Sequence, residues 1–291
     1  MPLSFPRGIR VGGSALPDGV MMLTPLAVAI AREGADGTLS IHSFALPERK
    51  PNPIEQIPFI RILPKLVGQM KFVVQGWKPK AGQKVSPQIV VAALIVGITS
   101  GLLNFAFASL PAFWHAAGAS LLQLAFFFAL IGATRAVPKL GRIWRFHGGE
   151  HQAISAYEAG LDLTVENTTT RSLYHPRCGT NLATLALLLM VPGMVIGSVM
   201  PGALGYLLTV FVPLPAMCVA FEIVMLGQGR WRAVLWPGLA FQRLTVARPG
   251  PAESRAGIAA LEAALVEHVR VEAERRVTVE VPVAVEAVPA S

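Results

Sequence analysis

Charge is what this chain has least of. Asp, Glu, Lys and Arg make up only 14% of its 291 residues, where a soluble domain carries about 25%. So low a share excludes a surface that faces water on all sides. Only two cysteines are present: Cys178 lies in a polar loop and Cys218 deep in an apolar segment. That placement argues against a disulfide and implies no oxidising compartment. Residues 1–13 lack the apolar core of a secretory signal, so targeting is expected to fall to the first membrane span.

What is present is hydrophobic, 53% of the chain with a mean hydropathy of +0.54. The charges that do occur sum to +8, and their placement says more than their total. They flank the apolar segments, and no aromatic-basic recognition motif accompanies them, which favours membrane lipids over nucleic acid as the partner.

A helix needs about 20 apolar residues to cross a bilayer. Four segments qualify: 89–113, 116–134, 182–200 and 203–226. Their interiors hold no Lys, Arg or Asp and a single carboxylate, Glu222. Lys and Arg gather before the first segment, between the second and third, and after the fourth. The connections near 111–115 and 201–202 have none. By the positive-inside rule this predicts two helical hairpins in the inner membrane with both termini cytoplasmic. The expected fold is a mainly α membrane protein, α+β overall.

Six regions follow. Residues 1–50 carry turn signals at Pro17-Asp18-Gly19 and Asp36-Gly37, and 20–31 and 39–46 read as a β-hairpin that packs on the membrane domain. Gly12-Gly13 offers a weak anion cradle. Residues 51–87 are basic, and 66–77 repeat apolar side chains at helical spacing; the segment lies in the headgroup layer or packs on the polar domain. Residues 88–134 form the first hairpin, 135–181 a polar loop, 182–226 the second hairpin. Residues 227–291 supply a surface helix over 252–275, rich in Ala and Glu, and a tail.

The loop 135–181 concentrates the chemistry. His147-Gly148-Gly149-Glu150-His151 has the spacing H-x-x-E-H, which on a helix turns both imidazoles and the carboxylate to one face. Such a pair grips a divalent metal, zinc above all, while a neighbouring Glu activates water; the same spacing occurs in one class of zinc peptidases. The pentad alone also suits a solvated helix face. Glu158 follows near the same face, and Gly160 is placed to end the helix. His175 and Cys178, just before the third span, can supply two further ligands. Glu222 is expected near the same membrane depth, as a base or as the partner of a nearby Arg. The metal set is therefore His147, His151, His175 and Cys178, with Glu150 and Glu222 as candidate catalytic carboxylates.

HGGEHQAISAYEAGLDLTVEN, followed by HPRCGT, resembles the YqhQ-like family of bacterial membrane proteins. GGSALPDGVMM, Phe221-Glu222 and PGLAFQRLT also fit, so the resemblance runs from about Val11 to Glu267. It implies a metal-dependent enzyme in a family of unknown function. Gln152 stands where the family more often has Lys, and VARP after Leu244-Thr245 departs from its usual residues.

Three functions compete. One is a metal-dependent hydrolase at the cytoplasmic membrane face, acting on a membrane-associated substrate. Another is a non-catalytic scaffold whose closed His₃Cys site is structural. The third is a transporter, disfavoured by the lack of a broken-helix pair near the midplane. Oligomeric state and substrate are not encoded legibly.

Overall fold

The computed structural model describes residues 5–48, 52–64, 66–68, 87–228 and 231–280. Side chains are described from Leu94 in the first long helix and up to Val277 in the last. Most of the expected amphipathic segment 66–77, and the tail from 281, lie outside these residues.

The N-terminal region is a four-stranded antiparallel meander rather than a hairpin: β1 (Gly12–Leu16), β2 (Gly19–Leu23), β3 (Ala27–Glu33) and β4 (Leu39–Ala45), in that order. Pro17-Asp18 turns β1 into β2, and Asp36-Gly37, with Gly37 at φ +78°, turns β3 into β4. The single expected strand 20–31 is split at Thr24-Pro25-Leu26. There the Thr24 hydroxyl accepts from the Ala27 amide at 3.0 Å and closes a tight turn. Proline cannot donate to a ladder, which explains the break.

Among the described residues, a series of helices follows the sheet and frames the site. They are α1 (Pro87–Ala106), α2 (Ala112–Ala133), α3 (Pro138–Glu158), α4 (Val165–Thr169), α5 (Gly179–Val199), α6 (Gly202–Phe211), α7 (Pro213–Gly227), α8 (Trp236–Thr245) and α9 (Pro251–Glu280). Among the described residues, two helices are long and apolar enough to cross a membrane, Ala112–Ala136 and Gly179–Val199. The α6–α7 pair passes the same test only as one span bent by 46°. The bend follows from Pro213, which starts α7 without an amide to donate back into α6. Over the first expected span the apolar helix is the shorter Leu94–Ala106, so four spans are expected and two or three are met.

Exposed side chains mark the same helices. Phe105 is 82% exposed, Tyr206 71% and Ile98 62%. So many large apolar groups on contiguous helices cannot face water cheaply, which points to membrane association. Small residues let these helices approach. A Cβ on Gly197 would fall 2.4 Å from the Thr209 hydroxyl, and one on Gly205 2.3 Å from the Met200 carbonyl.

The polar half is built around α9, which corrects the expected surface helix. Ala256, Ala260, Leu261, Ala264 and Leu265 are completely buried. They form one stripe at helical spacing against Val20, Met22, Ala29 and Ala31 of the sheet and Phe146, Ala153 and Ile154 of α3. Alanine here sets a close approach; it is not a surface filler. The α9 entrance is capped by its own Glu253, whose carboxylate accepts from the Gly250 amide at 3.0 Å. The same carboxylate meets Arg145 at 3.1 Å and Arg142 at 3.5 Å on α3.

Candidate metal centre

Helix α3 carries the H-x-x-E-H pentad in its middle, fully inside the fold. Its packing against α9 and the stretch leading into α9 depends on missing side chains. A Cβ on Gly148 would stand 2.1 Å from the Ala247 carbonyl, one on Gly149 2.6 Å from that of Glu253, and one on Gly257 2.7 Å from that of Gly149. Beyond the pentad, α3 ends as expected at Gly160, with φ +69°. The Leu161 amide bonds the Ala156 carbonyl at 3.0 Å and the Gly160 amide that of Tyr157 at 2.9 Å, a Schellman closure.

His147, His151 and Cys178 converge, each offering a ligand atom within 4.8 Å of the others. The imidazoles lie 4.4 Å apart between ring centres, and His147 Nε2 is 3.2 Å from Cys178 Sγ. Backbone carbonyls fix both rings. His147 Nδ1–H donates to the Thr245 carbonyl at 2.8 Å and His151 Nδ1–H to the Leu173 carbonyl at 2.5 Å. With Nδ1 protonated, each Nε2 presents its lone pair inward, as a metal ligand requires. His151 Nε2 is buried with no hydrogen-bond partner among the described residues. An orphaned lone pair in a 1% exposed side chain is costly unless it meets a cation. Burial, with the neighbouring His147, holds His151 well below its ordinary pKa, so it remains the neutral base that coordination needs.

Cys178 comes from the other side as the N-cap of α5, its sulfur accepting from the Thr180 amide at 3.5 Å and lying 3.1 Å from that residue's hydroxyl. Burial pushes its thiol up while the Thr180 donors pull it down. A cation between sulfur and imidazoles would supply the missing stabilisation of a thiolate. Two imidazoles and a thiolate are a donor set that suits zinc.

Glu150 lies beside this cluster, 4% exposed, with Oε2 unpartnered among the described residues. Burial raises its pKa to about 8, against a lowering by His147 and with a further rise from Cys178. It is admitted by β1: a Cβ on Gly13 would lie 2.7 Å from Glu150 Oε1. Gly13 thus makes room for the Glu150 carboxyl, while Gly12 faces open space. The open edge of β1, α3 and the start of α5 together enclose a cavity of about 360 Å³, lined by the three donors, Glu150, Gly12 and Gly13.

His175 reaches the cavity wall, 5.8 Å from His151 between ring centres, but the structure does not bring it into the donor set. Its Nδ1 accepts from the Arg177 amide at 3.3 Å, and its Nε2–H points to Glu158 Oε2 at 3.2 Å. Burial keeps it neutral by lowering its pKa. Glu222 is not brought to the cluster. Its carboxylate accepts from the Phe59 amide at 3.0 Å and the Arg61 Nε at 2.9 Å, tying α7 to the segment before α1. The Arg partner was foreseeable in kind, though not in identity.

Three residues were missed from sequence. Gln242 on α8 is completely buried. It accepts from the His175 amide at 2.9 Å and donates to the His175 carbonyl at 2.9 Å and to Asn181 Oδ1 at 3.1 Å. Asn181 in turn donates to the Pro176 carbonyl at 2.7 Å. These two amides hold the loop that delivers Cys178. The third is Thr245, through its carbonyl. The signal lay in the polar positions of PGLAFQRLT. Gln152, at the position where the related motif more often has Lys, donates to the Arg171 carbonyl at 3.0 Å and so steadies the loop that carries Leu173.

Comparison with known proteins gives a family and adds no chemistry. No solved structure matches. The chain is 26% identical over 282 residues, 82% of its own length and 86% of the relative's, to "Uncharacterized protein YqhQ" of Bacillus subtilis (strain 168). The family model described as "Protein of unknown function (DUF1385)" matches residues 57–267, a stretch that takes in the pentad, Cys178 and Gln242. The chain belongs to that family.

Proposed function

We propose that this protein is a metal-dependent hydrolase embedded in the inner membrane, with its site at the cytoplasmic face. The observation that carries the proposal is the donor geometry. His147, His151 and Cys178 are three ligands within 4.8 Å of one another, and catalytic zinc sites use three protein ligands where structural sites use four. A zinc ion held there would supply Lewis acidity and an acidified water. Glu150, between the two histidines, is the group within reach to take up a proton at Oε2. Glu158 orients His175, which flanks the cavity.

The membrane part of the proposal is four spans as two hairpins, both termini inside. It is supported by the Lys and Arg pattern and by two dimensions. Helix α1 has 20 residues, about 30 Å at the rise of an α-helix, and the bent α6–α7 pair passes as one apolar unit. Trp231 and Trp236, 63% and 71% exposed just after α7, suit an aromatic belt at the interface. Cys178 caps an apolar helix long enough to span, which supports a metal cavity at the membrane face.

The competing reading, a structural His₃Cys zinc in a scaffold, needs His175 as the fourth donor. Its two ring nitrogens are engaged by the Arg177 amide and Glu158, which weighs against it.

Cobalt substitution separates the two. The cobalt form should show a thiolate-to-metal absorption band that Cys178→Ser removes, and acetohydroxamate should change the visible spectrum by entering the coordination sphere. Glu150→Gln should retain cobalt. A spectrum indifferent to acetohydroxamate would assign the ion a structural role.

A further inference from the structure

A second hollow, about 290 Å³, opens beside the metal cavity, and Arg177 lines both. Its other charged walls are Arg7, Arg10 and Glu158. Three guanidiniums therefore face one carboxylate, and that carboxylate is already shared by Arg177 and His175. Neither Arg7 nor Arg10 makes an ion pair with a described carboxylate. Several arginines around the sheet and α9 do: Arg32 with Asp18, Arg142 with Glu33, Arg276 with Glu272.

The hollow is also built rather than incidental. Tyr157 donates to the Pro6 carbonyl at 2.6 Å, fixing the start of the segment that bears both arginines. Gly8, at φ +91°, turns that segment between them. The Arg7 guanidinium lies over Gly160, where a Cβ would meet Arg7 Cζ at 3.0 Å, so the left-handed glycine that ends α3 also seats this arginine. From Arg10 the chain passes directly into Val11, Gly12 and Gly13, which line the metal cavity. One extended ligand could thus lie along this strand with its anionic end at the arginines.

We propose that Arg7, Arg10 and Arg177 form a phosphate-binding subsite, and that the substrate of the metal centre is a phosphate-bearing molecule. This rests on the hydrolase reading above and adds the substrate class. Planar guanidinium forks match phosphate oxygens two by two, and several forks converging on one hollow favour phosphate over a lone carboxylate. The alternative office for Arg7 is simply to cap the carbonyl end of α3.

The test uses full-length protein in phosphatidylcholine nanodiscs, probed with inorganic pyrophosphate and, separately, with short-chain phosphatidic acid. Arg7→Gln/Arg10→Gln should raise the dissociation constant of the bound probe at least tenfold while metal content and unfolding temperature stay as in the parent. Arg7→Lys/Arg10→Lys should recover part of the affinity. Phosphatidic acid binding that pyrophosphate does not reproduce identifies a lipid headgroup; pyrophosphate binding alone identifies a soluble phosphate compound. Binding of neither probe by the parent, or equal binding by the Gln variant, overturns the subsite. A His147→Ala/His151→Ala variant that loses metal but still binds the probe keeps the subsite separate from the metal reading; retention of metal by that variant sinks the hydrolase and leaves only an anion site.

Discussion

His147 Nδ1 stands 2.8 Å from the carbonyl oxygen of Thr245, at the end of α8. Through that bond the residue that follows the membrane helices decides which nitrogen of the pentad's first histidine faces the cavity. Ala247, two residues on, donates its amide to the Trp144 carbonyl of α3 at 2.9 Å and holds the pair in register. The metal centre is therefore assembled from α3, the cap of α5 and the exit of α8, each set by the others.

The first consequence concerns the loop that delivers Cys178. Gln242→Leu removes the acceptor for the His175 amide and the donor to its carbonyl. A buried backbone group left unpaired costs roughly 1–3 kcal/mol. The variant should unfold at lower temperature and bind metal more weakly, read by thermal scanning and by competition with a chelator. Unchanged metal affinity would mean the amide clamp does not position Cys178.

Gly257→Ala tests the α3–α9 crossing without touching a donor. Its Cβ would stand 2.7 Å from the Gly149 carbonyl, an atom that cannot swing aside. Overpacking of this kind costs roughly 1–3 kcal/mol. A lowered unfolding temperature is expected, with a loss of metal affinity because Gly149 sits between the donors. A variant as stable as the parent would show the crossing to be looser than described.

The sheet should undock from α9 in acid. His268 Nδ1 lies 3.0 Å from the Thr24 hydroxyl, and burial holds its pKa below the ordinary histidine value against a smaller rise from Glu272. A group with a depressed folded pKa binds more protons when unfolded, so stability falls as pH drops below about 6.5. His268→Gln should flatten that part of the stability–pH curve. Identical curves for parent and variant would assign the acid sensitivity elsewhere.

Much of this site was legible because its signals are local. The i, i+3, i+4 spacing placed His147, Glu150 and His151 on one face, Gly160 marked the helix end, and Cys178 was tied to the start of a span. The rest depended on contacts that no local pattern carries. Gln242 looks like any polar residue of an amphipathic helix until α5 is laid against it. His175 has the right type and depth, but the Arg177 amide and Glu158 claim its nitrogens. The alanines of α9 read as surface because their composition does; only their packing on the sheet and on Phe146, Ala153 and Ile154 of α3 makes them core. The expected strand 20–31 runs through Pro25, which breaks it, while the fourth expected span is bent by 46° at Pro213.

The central claim is that His147, His151 and Cys178 hold one ion without His175. Metal analysis of the detergent-purified protein tests it most directly. The parent should carry about one divalent ion per chain, as three-ligand sites do. His147→Ala/His151→Ala should carry almost none, Cys178→Ser much less than the parent, and His175→Ala nearly the full amount. Stoichiometric metal in His147→Ala/His151→Ala, or its loss in His175→Ala with the fold intact, would contradict the account.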